Sequence, residues 1–355
     1  MTKKVAAKRS MVISVIFLLV ISMIPTVLSQ SLPEGKTEDC LLRSRERAPL
    51  RFRWNAREIT IQFTEHITNN GNITKNVTTY LAQPQTLYKQ EIHGPIVYSP
   101  TPDGFKTDRW GQVAAHYNHI LAPNESVTIS WELNATLYAV QYILFPWRVR
   151  GEIPQEIIDQ YTVDDEFYKI NDPYIQNITK EVIGKEQNLL RKAKKLHNYV
   201  INHLEYVLDD VWDDAPTVLK RGNGSCSEYC SAYIALCRAA DIPARYKGGT
   251  ICKKEAPYED RVYHRIAEIY LPSYGWVPID VTYDDYTKLF KYANFGSDNN
   301  NLFIFSVGGG SSEYLDWNYH HWHEISPSPE NIDITKSATW LRWEKTKTIR
   351  VPFFS

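Results

Sequence analysis

The chain has 355 residues, of which 43% are hydrophobic and 13% aromatic; this is enough for a sizeable core and favours two domains over one. Its formal net charge is −1, with no long basic block outside the N-terminus, which argues against nucleic acid as a partner. The sequence also has no nucleotide-binding loop and no haem motif, so we expect no cofactor.

The first thirty residues have the pattern of an export signal. A nearly apolar stretch ends in small residues near Ser29 and is preceded by four basic residues: Lys3, Lys4, Lys8 and Arg9. This pattern predicts a secretory signal peptide over residues 1–30. Residues 11–28 also approach the ~20 apolar residues of a membrane span. An uncleaved anchor that tethers the protein to the membrane is therefore the alternative interpretation. In both cases we expect an extracellular protein, secreted or anchored to the outer face of the cell membrane.

Six N-x-S/T sequons agree with export, although chance in an Asn-rich sequence would supply a few of them. They begin at Asn72, Asn76, Asn124, Asn134, Asn177 and Asn223. The protein is therefore expected to be a glycoprotein.

The five cysteines leave at least one thiol without an internal partner. They are Cys40, Cys226, Cys230, Cys237 and Cys252. Cys230 and Cys237 would lie two helical turns apart, roughly 10 Å, which is too far for a disulfide between them. Since no C-x-x-C pair exists, a structural zinc knuckle is not expected.

Residues 31–150 predict a β-sandwich-like domain. In "EITIQFTEHIT", Ile59, Ile61 and Phe63 alternate with polar neighbours, which is the period of a half-buried strand. Further β-branched and aromatic residues follow in "SVTISWELNATLYAVQYILF". Several short strands in about 100 residues are typical of a sandwich. No nucleophile stands out there, so we expect a packing or recognition domain.

Helical patterns follow from residue 151. Residues 151–185 predict a helical linker, and "KEQNLLRKAKKLHNYVINHLEYV" predicts an amphipathic helix from its apolar spacing of three or four. A second helix, apolar nearly all round, is predicted from about Cys226 to Ala240. Strands then recur in "ARYKGGTI", "RVYHRIAEIYL" and "GWVPIDVTY". Residues 186–330 therefore predict an α+β catalytic core, and residues 331–355 a C-terminal extension.

The start of the second helix favours a reactive cysteine. Ser225 and Glu228 have the spacing of a capping box, which makes Cys226 the first helical residue. There the helix dipole and free backbone N–H groups stabilise a thiolate and can receive an oxyanion. We expect Gly222 and Gly224 to leave the approach to the thiol open. A lone cysteine on a buried helix is usually a small hydrophobe, and this interpretation fits the other two cysteines of the helix.

His264 and Asp280 are the candidate base and its partner. They lie on consecutive predicted strands, and a hairpin that turns around Pro272 would place them opposite each other, with Cβ atoms roughly 5 Å apart. The carboxylate could then orient the imidazole while the other ring nitrogen meets the thiol, as in a Cys-His-Asp triad.

Two segments together carry a family resemblance. "RGNGSCSEYCSAYIALCRAADIPARYKGG" followed by "YHRIAEIYLPSYGWVPIDVTYDD" resembles the core of the transglutaminase-like superfamily, over roughly residues 185–285. In that family a G-x-C at a helix start, a histidine on a strand and an aspartate after G-W-x-P-x form the catalytic triad. The resemblance implies that Cys226 is the nucleophile, His264 the general base and acid, and Asp280 the orienting carboxylate. It also implies a papain-like fold, α+β, with the nucleophile helix packed on an antiparallel sheet and preceded by the β-sandwich.

This sequence departs from the family pattern at two positions. Ile266 stands where the family usually has tryptophan, which bears on local packing more than on the triad. Asn223 places a sequon three residues before the nucleophile, so we expect that site to be unglycosylated or catalysis to be absent.

Other candidate residues are assigned to the scaffold. Tyr206 and Trp212 could supply a second oxyanion donor, but packing in an aromatic core is the favoured interpretation. Arg238 and Arg245 are expected to be scaffold residues.

The segment "YHHWHE" resembles a metal-binding cluster. On a strand, His321 and His323 share a face and His320 does not, which leaves two ligands where catalytic zinc usually has three. We therefore predict no metal site.

These residues predict an exported cysteine-dependent acyltransferase or hydrolase that acts on amide bonds through a thioester. The expected partner is a protein or peptide substrate that bears carboxamide or amide groups. Hydrolysis of peptide or isopeptide bonds is slightly favoured over transglutaminase-type cross-linking, because water is always present. The alternatives are a catalytically inactive surface binding module with the same fold, and a structural protein in which Cys226 forms a disulfide.

Overall fold

The computed structural model describes residues 49–208, 211–286 and 291–346, which belong to one compact unit. The expected export signal, its possible membrane anchor and Cys40 lie outside the described residues. Among the described helices, none has both the length and the apolar character needed to cross a bilayer.

From Arg51 to Tyr142 the regular elements are all strands, as the sequence predicted. The strands are β1 Arg51–Asn69, β2 Lys75–Ala82, β3 Gln90–Ser99, β4 Gly104–Thr107, β5 Val113–Leu121 and β6 Ser126–Tyr142. Along β1 the predicted residues Ile59, Ile61 and Phe63 are buried and their neighbours are not, which confirms the period of two. These side chains share a hydrophobic core with Leu81 of β2 and Trp131 of β6.

A helical region follows a short 3-10 turn at Pro146–Arg148. Its helices are α1 Gln155–Tyr161, α2 Pro173–Ile183, α3 Leu189–His203, α4 Ala215–Arg221 and α5 Cys226–Ala239, and a sixth, α6 Val281–Tyr286, comes later. In α3 the buried face includes Leu190, Ala193 and Val200, which confirms the amphipathic helix. α5 is buried along nearly its whole length, also as predicted.

The remaining strands are short, apart from the last one. They are β7 Glu205–Tyr206, β8 Asn223–Gly224, β9 Ala244–Ile251, β10 Tyr258–Asp260, β11 His264–Leu271, β12 Gly275–Ile279, β13 Ser297–Asp298, β14 Leu302–Gly308, β15 His321–Ser326 and β16 Ile332–Lys345. An antiparallel sheet of order β12-β11-β9-β14 packs against α5. The expected arrangement of a nucleophile helix on an antiparallel sheet is therefore confirmed.

The predicted pairing of the β11–β12 hairpin was wrong by two residues. Glu268 pairs with Pro278, and Leu271 pairs with Gly275, so the loop is centred on Ser273. Ser273 and Gly275 both have positive φ (67° and 72°), and this three-residue loop sets the pairing. Because a shift of two residues keeps every side chain on its face, the predicted contact between His264 and Asp280 survives the error.

The prediction that a strand runs through "GWVPIDVTY" was also wrong in its second half. β12 ends at Ile279, and α6 begins at Val281. Asp280 therefore lies at the junction between a strand and a helix rather than within a strand.

Strands from the last third of the chain complete the sheets of the first third. One sheet has the order β10-β16-β1-β6-β13, with β3 also on β6, and the other has the order β15-β2-β5-β4. The long strand β16, which pairs with β1 and β10, lies in the segment expected to be a C-terminal extension. The domain boundaries drawn from the sequence stay a prediction.

Candidate active site

Cys226 occupies the position that the sequence predicted, at the first residue of α5, and is 7% exposed. The capping box formed by Ser225 and Glu228 is present, and Ser225 N donates to Glu228 Oε2 over 2.7 Å. Ser225 has extended backbone angles, so the chain turns into the helix directly before the thiol. The capping box satisfies the backbone N–H of Glu228 and leaves those of Cys226 and Ser227 at the helix start.

The two glycines before the nucleophile each meet a local requirement of the fold. Gly222 ends α4 in the left-handed region, with φ of 83°, where glycine has no steric penalty. A Cβ at Gly224 would lie 2.9 Å from Cβ of Glu228, so glycine allows the capping residue to approach. Chain reversal and close packing thus explain the glycines that the sequence assigned to an open approach.

His264 and Asp280 are in direct contact, because His264 Nε2 lies 2.8 Å from Asp280 Oδ2. His264 is the first residue of β11, and Asp280 follows the last residue of the neighbouring strand β12. The second carboxylate oxygen, Oδ1, accepts a hydrogen bond from Tyr283 N over 3.1 Å. The start of α6 therefore holds one oxygen of Asp280 and leaves the other for the imidazole.

The imidazole of His264 also contacts the thiol of Cys226. Since Nε2 is hydrogen-bonded to Asp280, Nδ1 is the ring nitrogen that can contact the sulfur of Cys226. Burial disfavours the charged ring, but the charge and hydrogen bond of Asp280, followed by Cys226, outweigh it and raise the pKa of His264 to about 10. Burial likewise disfavours the thiolate, yet His264 and then Arg265 lower the pKa of Cys226. Both shifts favour a thiolate–imidazolium pair.

The other described cysteines have the opposite character. Burial raises the pKa of Cys237 to about 12 and that of Cys252 to about 11, and it also raises the pKa of Cys230. All four described cysteines are free thiols, so Cys226 forms no disulfide in this structure. Of these four thiols, only Cys226 has a lowered pKa.

Two tyrosines beside the triad were not assigned to it from the sequence. The ring of Tyr283 meets that of His264 edge-on, with centroids 5.1 Å apart. The predicted strand would have carried Tyr283 away from Asp280, whereas the helical turn of α6 brings it back. Tyr206 is paired with Gly224 in the two-stranded parallel sheet, and burial, followed by the nearby Cys226, raises the pKa of Tyr206 to about 12.

Several residues that the sequence assigned to the scaffold have structural contacts. Trp212 stacks on Phe167 with ring centroids 4.5 Å apart, as expected for core packing. Arg238 Nε donates to Ala244 O over 3.0 Å. Arg245 forms an ion pair with the buried Glu268 over 2.8 Å. Ile266, in place of the usual tryptophan, packs in a small cluster with Ile251, Leu302 and Ile304.

The six sequons differ in exposure. Asn223 is half-buried, and its backbone pairs with that of Glu205 in the short β7–β8 sheet. The other five asparagines are exposed: Asn72, Asn76, Asn124, Asn134 and Asn177. The surroundings of Asn223 agree with the expectation that this sequon is unglycosylated.

The predicted orientation of the three histidines in "YHHWHE" is confirmed. His321 and His323, both on β15, contact the same carboxylate, that of Glu65. The ring of His320 is buried beside that of Tyr263, with centroids 4.7 Å apart, and it meets the ring of His321 edge-on at 4.6 Å.

The segment that holds the three candidate residues matches a known family. Residues 176–281, which contain Cys226, His264 and Asp280, match the family model of the transglutaminase-like superfamily. An uncharacterized protein of Haemophilus influenzae is 29% identical over 209 residues, which are 50% of this chain and 56% of the relative. The match thus spans little more than half of that relative's length.

A solved structure shares the fold at low sequence identity. A candidate cysteine protease from Cytophaga hutchinsonii has a TM-score of 0.60 at 16% identity, over 86% of this chain and 96% of that chain. The periplasmic domain of TgpA from Pseudomonas aeruginosa has a TM-score of 0.33 at 15% identity, over 60% of this chain and 90% of that chain, a likeness too weak to argue from. Residues 176–281, the segment that holds all three candidate residues, thus match the core of the transglutaminase-like superfamily, and the chain shares its fold with the Cytophaga structure.

Proposed function

We propose that this protein is a cysteine-dependent enzyme that transfers the acyl group of an amide through a thioester intermediate. The observation that carries the proposal is the position of His264, which contacts both the Cys226 thiol and the Asp280 carboxylate. A nucleophile, a base within reach of it and a third group that orients the base are the parts that covalent acyl transfer requires.

In the first half of the reaction, Cys226 Sγ attacks the carbonyl carbon of the amide. The oxyanion that forms accepts hydrogen bonds from free N–H groups at the start of α5. The imidazolium of His264 gives its proton to the nitrogen as the carbon–nitrogen bond breaks. The amine leaves, and the acyl group remains on sulfur as a thioester.

In the second half, His264 accepts a proton from water while the water oxygen attacks the thioester carbon. The carbon–sulfur bond breaks, the acid is released and the thiolate–imidazolium pair is restored. An amine in place of water would give a cross-link by the same steps. We favour hydrolysis of peptide or isopeptide bonds, because water is always present, and the description of the Cytophaga relative as a candidate protease agrees with this choice.

We further propose that the enzyme acts outside the cell on protein or peptide substrates. The support is the export pattern of residues 1–30 and the exposure of five of the six sequon asparagines. Residues 11–28 would tether the enzyme to the membrane if the signal is not cleaved.

The experiment is to trap the acyl-enzyme. The purified chain is mixed with a library of peptides that contain internal amide and glutamine carboxamide groups, and quenched samples are examined by intact-mass spectrometry. We expect an adduct on Cys226 that hydroxylamine removes, with release of free acid in water and of amide product when a primary amine is added. The adduct should be absent in Cys226→Ala and retained in Cys237→Ala. A library that yields neither adduct nor Cys226-dependent product would overturn the proposal in favour of the inactive binding module.

A further inference from the structure

A second cluster of titratable side chains lies between the two sheets of the N-terminal sandwich. Glu65 is on β1 of one sheet, and His321 and His323 are on β15 of the other. Glu65 is fully buried on the inward face of β1, between Phe63 and Ile67. The proposed amide chemistry uses none of these three side chains.

The three side chains converge on one point. His321 Nδ1 is in contact with Glu65 Oε1, and His323 Nε2 lies 3.0 Å from the same oxygen. The three candidate donor atoms all lie within 4.8 Å of one another. Donors at their usual distances from a tetrahedral zinc ion are about 3.3 Å apart, so a small rearrangement would let all three bind one ion.

One donor-type atom in this cluster, Glu65 Oε2, is buried and has no hydrogen bond in the described part of the chain. His323 Nε2 has the 3.0 Å contact with Glu65 Oε1, but this contact does not have hydrogen-bond geometry. Buried polar atoms almost always have a well-formed hydrogen bond, so these two atoms in one cluster indicate a missing ligand. A cation would bind both atoms, whereas an anion would be repelled by the carboxylate.

We propose that Glu65, His321 and His323 bind a divalent transition-metal ion, with zinc as the best match. Two imidazoles and one carboxylate are borderline ligands that suit zinc, and they leave a fourth position for water. Because the ligands come from both sheets, the ion would join β1 to β15 and stabilise the sandwich. The sequence offered only two ligands, since Glu65 lies 256 residues before His321.

Lys336 competes with the metal ion. It is paired with Glu65 across β1 and β16, and its Nζ lies 3.0 Å from His321 Nε2. Without metal, Lys336 donates to Nε2, and the proton on Nδ1 is shared with Glu65. With metal on Nδ1, the ring proton moves to Nε2, so Lys336 loses its acceptor and must turn away. Removal of the Lys336 ammonium should therefore strengthen metal binding.

The experiment measures zinc and cobalt binding by the untagged full chain. After equilibration with Zn²⁺ at micromolar free concentration, metal content is measured by mass spectrometry, and Co²⁺ is added to a second sample for its visible absorption spectrum. We expect about one equivalent of zinc and the visible bands of a four-coordinate cobalt site. Affinity should fall at least about tenfold in His323→Ala and Glu65→Gln, and rise in Lys336→Met.

His66→Ala is the matched control, because His66 is exposed on the opposite face of β1 and should leave zinc binding unchanged. Circular dichroism of each variant separates a lost ligand from a lost fold. The proposal is overturned if the folded wild-type chain takes up less than about a tenth of an equivalent of zinc. It is also overturned if folded His323→Ala binds zinc as the wild type does, or if Lys336→Met gives no gain in affinity.

Discussion

His264 is the residue on which the proposed chemistry depends, because it contacts the nucleophile on one side and Asp280 on the other. Its surroundings raise its pKa from 6.5 to about 10, which keeps the ring charged in the folded protein. This charge in turn lowers the pKa of the Cys226 thiol, which favours the reactive thiolate.

The raised pKa of His264 predicts a pH-dependent contribution to stability. Since the folded pKa is higher than the unfolded one, this contribution is fully present below pH 6.5 and is lost as pH rises through about 10. In urea denaturation, the free energy of unfolding of the wild type should exceed that of His264→Ala by more at about pH 6 than at about pH 10. An equal difference at both values would contradict the assigned charge state.

Replacement of Asp280 by asparagine should separate orientation from nucleophilicity. The variant keeps the shape of the side chain but removes the charge that raises the pKa of His264. We expect turnover at neutral pH to fall roughly 10³- to 10⁴-fold. Without the carboxylate, the imidazole is no longer held in the required tautomer, and its charged form is no longer stabilised. Turnover of the peptide found in the trapping experiment measures this, with Asp284→Asn as a control for loss of a nearby buried carboxylate. Loss by less than a factor of about ten would contradict the role of Asp280.

At this scale the sequence predicted the three candidate residues but not their full surroundings. The spacing of His264 and Asp280 was informative because an even shift in register preserves the face of each side chain. Tyr283 and Glu65 were missed for different reasons. Tyr283 lies in a helical turn where a strand was predicted. Glu65 lies on the first strand, 256 residues before His321, so no local pattern connects the two.

At the scale of elements, the start of α5 leaves no room for a side chain at residue 224, so only glycine fits there without a clash. Gly224→Ala would place a Cβ 2.9 Å from that of Glu228, whose side chain accepts from Ser225 N. We expect a loss of about 1–3 kcal/mol in the free energy of unfolding from this overpacking. Gly104→Ala is the matched control, because its Cβ meets nothing within 4 Å and its effect should stay within about 0.5 kcal/mol. Equal effects of the two substitutions would contradict the assignment.

Local patterns predicted the type of most elements. Alternation along β1 and apolar spacing along α3 reflect burial on one side, which a sequence records directly. The end of β12 was not predictable in the same way, because "DVTYDD" has no clear period and its helix is stabilised by contacts from elsewhere. One such contact is His197 on α3, whose Nε2 lies 2.9 Å from Asp284 Oδ2 of α6.

At the scale of the whole molecule, a buried ion network connects the N-terminal sheets to the sheet that carries His264. Asp298 on β13 contacts Lys89, which precedes β3, and its other oxygen lies 2.8 Å from Lys247 Nζ of β9. Lys247 also pairs with Glu268 of β11 over 3.0 Å. Lys247 is therefore paired with one acid from each group of sheets, and its ion pair with Asp298 joins the two groups.

Asp298→Ala should destabilise the described unit as a whole. The substitution leaves two buried ammonium groups without their common partner, which costs about 3–5 kcal/mol. We expect calorimetry to show a single thermal unfolding transition, at a lower temperature than that of the wild type. Glu344→Ala, which removes the acid of an exposed pair with Arg342, is the control and should change stability by less than about 1 kcal/mol. Two separate transitions in the variant would contradict coupling through this network.

The pairing of distant strands was the part of the fold that the sequence could not predict. β16 is an ordinary strand pattern near the C-terminus, and nothing local marks β1 as its neighbour. The same holds for β15, which joins β2 and brings its histidines to Glu65. Periodicity reports which side of a strand is buried, but the partner is chosen by packing of the whole molecule.

The most direct test of the central claim is the rate of Cys226 alkylation as a function of pH, read by peptide mass spectrometry, in the wild type and in His264→Ala. If Cys226 and His264 form a thiolate–imidazolium pair, the wild-type thiol reacts at its full rate already near pH 6, and the variant reacts only as pH approaches the ordinary cysteine pKa of ~8.5. Cys252 in the same digests provides the internal comparison, because its pKa is raised. A wild-type Cys226 that titrates near 8.5, or a profile unchanged by the loss of His264, would contradict the account.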